Sequence, residues 1–296
     1  MRVLITGHNG NVGSEIARLL SAQGWEVIGL DRSLVNEDNV LGKEIGVDIS
    51  SVSLVDNIAE KIEPCEVIVH TAAMIDYDNH HLSTIMTNCL GTQNILRLAA
   101  LWKTQTMVYT SSIQVIGTPR TIPITEEHPV EPNTVYHASK LFGEHLCNIA
   151  QINGLRTVVL RLTSPVGPRM DRGRIFPVFI KQALAGEPLS IIGKGNRQQN
   201  YVDVRDIATA VERFIISDVH GVYNIAGKQA ISNLELAQAC ISLFGSRSNI
   251  KYSDVPDREE GLNWDISINK AADMIGYEPI YSLEDSIRYI GKNLCV

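Results

Sequence analysis

An apolar run at Arg2–Thr6 breaks into glycine at positions 7, 10 and 13 and then turns helical. Val12, Ile16, Leu19 and Leu20 repeat at i, i+4, i+7 and i+8, one face of a helix that stops at Gly24. A second apolar run, Trp25–Leu30, ends against Asp31. Strand, glycine turn, helix and strand make a βαβ unit, which commits the chain to a parallel sheet with helices across its faces. The same unit carries a chemistry. Glycines let a backbone approach a pyrophosphate, a helix N-terminus offers unbonded N–H groups, and an acid after the second strand accepts hydrogen bonds from a ribose. Gly7, Asn9, Gly10, Asn11, Val12 and Gly13 are therefore expected to line a dinucleotide, with Asp31 on its adenosine ribose. The charge of Asp31 favours NAD over NADP, and Arg32 beside it weakens that discrimination.

Further candidate strands are Glu66–His70, Thr106–Ser111 and Arg156–Arg161, separated by helical stretches near Leu82–Trp102 and Tyr136–Ile152. The strands read as nearly continuous apolar runs, as a sheet covered on both faces requires. Beyond Arg161 the pattern loosens. TSPVGPRMDRGR and IIGKGNRQQNY read as loops, while Asn233–Phe244 and Ser282–Tyr289 read as helices. The expected fold is α/β, a Rossmann-type doubly wound parallel sheet with a smaller C-terminal substrate-binding lobe. Residues 1–163 would form the dinucleotide-binding domain and 164–296 mainly the lobe, with segments near 201–226 returning to the sheet.

Composition removes several function classes. Lys and Arg number 26 against 33 Asp and Glu, a net charge of −7, which gives no footprint for nucleic acid. No apolar run approaches the ~18 residues of a membrane span. The N-terminal segment turns polar after three apolar residues, too soon for a signal peptide. Five cysteines without a CxxC pair fit thiols in a reducing cytoplasm. His80 and His81 lack the companion ligands of a metal site, so no metal is expected.

Tyr136-His-Ala-Ser-Lys140 places a phenol and an ammonium on one helical face. A phenol of ordinary pKa ~10 needs a shift of ~3 units, about 4 kcal/mol, to act as a base at neutral pH. One ammonium ~4 Å away at an effective dielectric of 20 supplies about that much. Lys140 also carries three donors with which to hold a nicotinamide ribose. Upstream, YTSSIQVIG at a strand end offers hydroxyls that can bond a substrate oxygen. Arg169, Arg172 and Arg174 read equally as a solvated loop or as a face for an anionic substrate.

TGHNGNVG, Asp31, YTSS and Tyr136-x-x-x-Lys140 together resemble the extended short-chain dehydrogenase/reductase superfamily. Within it the chain is most similar to the NAD-dependent epimerase/dehydratase family, typified by UDP-galactose 4-epimerase, over almost its whole length. The resemblance implies Ser112, Tyr136 and Lys140 as the catalytic group. It puts Asp48 and Ile49 at the adenine, and Thr71, Ala72 and Ala73 near the cofactor phosphates and ribose. Asn88, Thr110, Tyr136, Lys140 and Leu162 are implied as further cofactor contacts, and Ser112, Ser164, Arg197, Gln199 and Arg258 as substrate contacts. It also implies a homodimer built on the helices near 82–102 and 136–152.

The chain departs from the family pattern in places. Ser164 stands where many members have asparagine, and Gln199 stands where a diphosphate-binding arginine is expected, with arginine shifted to 197. His137 replaces the usual glycine, and Ile113-Gln114 replaces the dehydratase Asp-Glu pair, which argues against 4,6-dehydratase chemistry. The expected function is an NAD-dependent nucleotide-sugar epimerase working through a keto intermediate. The alternatives are an NAD(P)-dependent reductase or dehydrogenase of a nucleotide sugar or a non-nucleotide alcohol or ketone, and a non-catalytic NAD-binding sensor.

Overall fold

The computed structural model describes residues 1–34, 41, 43–75, 82–257 and 259–294. The first half alternates strand and helix, with β3 and α2 beyond what the pattern predicts: β1 (Arg2–Thr6), α1 (Asn11–Ala22), β2 (Glu26–Asp31), β3 (Lys43–Gly46), α2 (Leu54–Ala59) and β4 (Val67–His70). It continues with α3 (Leu82–Ile85), a π-helical turn (Met86–Leu90), α4 (Gly91–Trp102), β5 (Thr106–Ser112), α5 (Val135–Ile152) and β6 (Arg156–Leu162). The second half adds β7 (Ser164–Val166), α6 (Ile175–Ala185), β8 (Leu189–Ile192), β9 (Gln198–Asp203), α7 (Val204–Ile216) and β10 (Gly221–Ile225). Then follow β11 (Ala230–Ser232), α8 (Asn233–Leu243), β12 (Ile250–Ser253), α9 (Asn269–Ile275) and α10 (Leu283–Leu294).

Seven strands form one parallel sheet in the order β10-β6-β5-β4-β1-β2-β3. From β1 the chain builds outward through β2 and β3, then lays β4, β5 and β6 on the other side. Strand order therefore reverses between β1 and β4, and such a reversal opens a crevice beyond the carboxyl ends of the two strands. Pairing of Thr6 with His70 sets the glycine turn and residues 71–73 on the two lips of that crevice.

Alternation along each strand feeds two cores. Val3 and Ile5 face one, with Ile16 and Leu20 of α1 and Ile207, Val211 and Phe214 of α7. Leu4, Ile28, Ile68 and Met107 face the other, with Ile58 of α2, Leu98 of α4 and Cys147 of α5. Each such aliphatic side chain contributes about 1.5–3 kcal/mol by leaving water. A third core joins Phe176 and Phe179 of α6, Leu189 of β8, Leu236 of α8 and Ile287 of α10, beside two small sheets, β11-β9-β7 and β12-β8.

Three features differ from the sequence reading. Ser164–Val166 and the Gln198–Tyr201 part of β9, read as loops, lie in paired strands. Both are short and polar, and their pairing depends on partners remote in sequence. The helix read across Leu82–Trp102 is interrupted by the π turn. Of the segment near 201–226, β10 joins the large sheet beside β6, while β9 lies in the three-stranded sheet. Residues near 270–277 close over β10. Lys270 Nζ donates to the Val222 carbonyl at 2.8 Å, and Tyr277 Oη to that of Ala226 at 2.8 Å.

Candidate active site

The glycine turn is closed tightly enough to exclude side chains. Gly7 has φ +72°, and a Cβ there would sit 2.7 Å from the Ala72 backbone; at Gly13 it would lie 2.1 Å from the Gly7 carbonyl oxygen. Gly10 gives α1 no side-chain cap, so the first amides of the helix are left for a ligand. Asp31 is fixed beside the turn: Oδ2 accepts from the Asn9 amide at 3.1 Å and Oδ1 from the Ser33 amide at 3.1 Å. Asn11 Nδ2 donates to the Pro165 carbonyl at 3.3 Å, and Val12 packs on the first core. Arg32 is exposed next to Asp31. Free amides at the helix start and an anchored acid at the end of β2 fit a dinucleotide.

On the opposite lip, Thr71 Oγ1 donates to the Thr6 carbonyl at 2.7 Å and the Ala72 amide to Thr6 Oγ1 at 3.3 Å, with Ala73 half-buried beyond. Beyond β3, the hydroxyl and amide of Ser50 hold the Asp48 carboxyl below its ordinary value. Ile49 is buried, and its carbonyl accepts from Asn94 Nδ2 at 2.9 Å. Asn88 is hydrogen-bonded at both ends of its amide. Its Oδ1 accepts from the Met74 amide at 2.8 Å, and its Nδ2 donates to the Met74 carbonyl and Ser139 Oγ at 3.0 and 2.9 Å. At 1% exposure it ties the lip to α5.

Thr134 caps α5 by accepting the His137 amide at 3.1 Å. Helical spacing then stacks Tyr136, Lys140 and Glu144 on the buried face, packed along β5 and β6. Lys140 Nζ donates to the Thr110 carbonyl near the end of β5 at 2.8 Å, and burial pulls its ammonium down to about 8. The two neighbouring serines divide. Ser111 donates to Glu144 Oε1 at 2.5 Å, whereas half-buried Ser112 accepts the Gln114 amide at 3.2 Å and keeps its own proton to give. Leu162, buried at the end of β6, pairs with Ser112. His137 lies edge-on to the Tyr136 ring, and burial pulls its imidazole down to about 4, so it stays neutral.

Ser164 on β7 pairs with Tyr201, and Gln199 on β9 pairs with Ile231. The Arg197 guanidinium lies 2.6 Å from Glu259 and 3.8 Å from Asp257, so it is committed to two carboxylates. Arg258, His80 and His81 lie outside the described residues. Sequence reasoning missed the buried pair beneath the site, in which Arg161 Nη2 reaches Glu144 Oε2 at 2.9 Å. The spacing of Tyr136, Lys140 and Glu144, four residues apart, was the available signal.

The model of the NAD dependent epimerase/dehydratase family matches residues 3–226. The chain belongs to that family. This epimerase/dehydratase is thus an NAD-dependent enzyme of the extended short-chain dehydrogenase/reductase type. UDP-glucuronic acid decarboxylase 1 of Danio rerio is 28% identical to it, over 99% of this chain and 73% of the relative. An uncharacterized UDP-glucose epimerase of Bacillus subtilis (strain 168) is 28% identical over 97% of this chain and 96% of its own. The UDP-glucose 4-epimerase of Thermotoga maritima, solved with UDP-glucose, shares the fold at TM-score 0.92 and 22% identity, covering 100% of this chain and 99% of that one. The UDP-glucose 4-epimerase of Thermus thermophilus, solved with NAD, has TM-score 0.87 at 25% identity with the same coverage.

Proposed function

We propose that this epimerase/dehydratase inverts one hydroxyl-bearing carbon of a nucleotide-linked sugar through a keto sugar. The observation that carries this reading is the Tyr136–Lys140 pair, one helical turn apart on the buried face of α5, with Lys140 bonded to the end of β5. Tyr136, as phenolate, takes the proton of the sugar hydroxyl, and Ser112 donates a hydrogen bond to the same oxygen. Reversible hydride acceptance at that carbon is the chemistry that bound NAD would supply. After the keto sugar has turned its other face, Tyr136 gives the proton back, so no net oxidation occurs. Gly7, Gly13 and the start of α1 would hold the pyrophosphate, Asp31 the adenosine ribose, and Lys140 the nicotinamide ribose.

Water loss asks for more than this one acid/base couple, whereas loss of CO2 from a β-keto acid does not. Ile113 is 4% exposed and Gln114 is a neutral amide, so the position following Ser112 supplies no second carboxyl. The chain is therefore read as an epimerase rather than a dehydratase. Incubation with UDP-glucose, UDP-galactose and UDP-glucuronic acid, followed by proton NMR, is expected to give a pair of epimers with no accumulation of NADH. Net NADH would assign a dehydrogenase instead. One observation favours a non-nucleotide alcohol as a second reading: Arg197 is engaged by Glu259 and Asp257 while Gln199 replaces arginine. Thermal stabilisation by none of the UDP-, dTDP- and GDP-sugars would select that reading.

The homodimer belongs to the same proposal. Leu82, Ile85 and Met86 of α3 and the π turn, with Phe142, Ile149 and Ile152 of α5, are exposed apolar side chains on neighbouring helices. A second copy meeting this face would bury them. Phe142→Glu is expected to convert a dimer to a monomer in light scattering, and a wild-type monomer at micromolar concentration would refute the assignment. Among the described residues no helix is long and apolar enough to cross a membrane. Cys65, Cys89, Cys147 and Cys240 are free thiols, in keeping with a cytoplasmic setting.

A further inference from the structure

Lys140 is a buried cation whose nearby buried anion, Glu144, acts on it only through space. The residue is 3% exposed, and among the described residues no carboxylate lies within ion-pair distance of Nζ. Nζ has the Thr110 carbonyl at 2.8 Å and the face of Tyr109, whose ring centroid lies 5.0 Å away. Surrounding ionisable groups are neutral or already matched. His70 on β4 is locked between Thr6 Oγ1 at 2.6 Å and Thr92 Oγ1 at 3.0 Å, and burial, with the Lys140 charge, pulls it down to about 3. Burial pushes the Cys147 thiol on α5 up to about 12 and keeps Tyr109 protonated. Glu144, one turn beyond Lys140, accepts two N–H groups of Arg161 and the Ser111 hydroxyl. His137 is held neutral, which leaves Tyr136 as the titratable partner on this face of α5.

The seat of Tyr109 is built into the helix. A Cβ at Gly143 would lie 2.2 Å from Tyr109 Oη, so α5 accepts an interior glycine, a poor helix former, one turn after Lys140. Tyr109 is 1% exposed, and its hydroxyl is directed at the Lys140 carbonyl at 3.4 Å.

We propose that Tyr109 is a positioning residue for the reaction, its ring face standing in for a counter-ion so that Lys140 stays charged without being cancelled. A carboxylate in that place would hold the ammonium but leave a net-neutral pair, and the field at Tyr136 would collapse. An aromatic quadrupole attracts the cation and carries no net charge of its own. The consequence for catalysis rests on the Tyr136–Lys140 reading above, whereas the test does not.

The whole chain, free of ligands and labelled with 13C-lysine, is titrated by NMR through the Lys140 Cε signal, assigned by its loss in Lys140→Met. Position 109 carries tyrosine, phenylalanine, or the 3,5-difluoro and pentafluoro analogues of phenylalanine, which keep the ring shape and progressively withdraw its negative face. Tyr109→Phe should keep the wild-type midpoint, and the fluorinated series should lower it stepwise by about one pH unit in all. A midpoint unmoved by fluorination overturns the proposal. A fall in Tyr109→Phe as large as in the pentafluoro chain overturns it too, because the hydroxyl would then be the support. In the active enzyme the alkaline limb of kcat should move down with the midpoint. Absence of turnover on every UDP-sugar beside a graded midpoint would defeat the functional reading and leave this one standing.

Discussion

Tyr136→Phe is expected to lower turnover about a thousand-fold, within the range for loss of a positioned acid/base, and to leave NAD affinity unchanged. The reason for the split lies in what the phenol touches. The ring of Tyr136 packs edge-on to His137 at 5.2 Å between centroids, and phenylalanine fills that place equally well, so α5 keeps its seat. Only the proton-carrying oxygen goes. Lys140→Met should behave differently, because one ammonium both supports the phenolate and supplies donors to the nicotinamide ribose. It should lose turnover and weaken NAD binding together. Progress curves give kcat and KM for each variant, and quenching of protein fluorescence on addition of NAD gives the affinity. Turnover in Tyr136→Phe within about tenfold of wild type would place the acid/base elsewhere, since water or Ser112 does not supply a base of matched pKa. Equal loss of NAD affinity in both variants would mean that Tyr136 helps bind the cofactor, and the separation of roles would fail.

The parts of this site that could be read from the sequence are those in which local pattern and chemistry coincide. The glycine turn, Asp31 and the Tyr136–Lys140 spacing each lie within one or two elements, where helix and strand periodicities act directly. The strands that build the crevice were legible for the same reason, as continuous apolar runs. Other features needed partners distant along the chain. Lys43–Gly46 offers one large apolar residue, Ile45, and becomes a strand by pairing with Ile28–Asp31. Ser164–Val166 owes its conformation to Tyr201–Asp203. The choice between Ser111 and Ser112 is decided by Glu144, 33 residues on from Ser111, which occupies one hydroxyl and leaves the other. The state of Arg197 is likewise set by Asp257 and Glu259, and no local rule announces an ion pair of that separation. Gly143 was the one local clue to the Tyr109 seat, an interior helix glycine with no turn to explain it.

The largest loss of stability is expected from Glu144→Ala. Arg161 gives Glu144 three hydrogen bonds, from Nε at 3.1 and 3.3 Å and from Nη2 at 2.9 Å, and both side chains are 6% exposed. Ser111 adds a fourth, while Arg161 Nη1 donates to the Glu126 carbonyl at 3.0 Å and Glu126 Oε1 takes the Asn224 amide at 2.8 Å. One carboxylate therefore holds together α5, β5, β6 and, through Glu126, the edge strand β10. Its removal strands a guanidinium out of water, and breaking one half of a buried pair costs about 3–5 kcal/mol. For a chain of this size that amounts to a fall in Tm on the order of 10 °C, measurable by circular dichroism. Glu144→Gln should lose less, because the amide oxygen still accepts from Arg161. The sharper comparison is Glu144→Leu combined with Arg161→Met. With both charges gone no ion is left unpaired, and apolar groups of similar volume can recover much of the loss. A double variant nearer to wild type than Glu144→Ala would show that the uncompensated charge is the cost. If the double variant melts below the single one, the hydrogen bonds to Ser111 and Glu126 hold the strands and the charge is secondary.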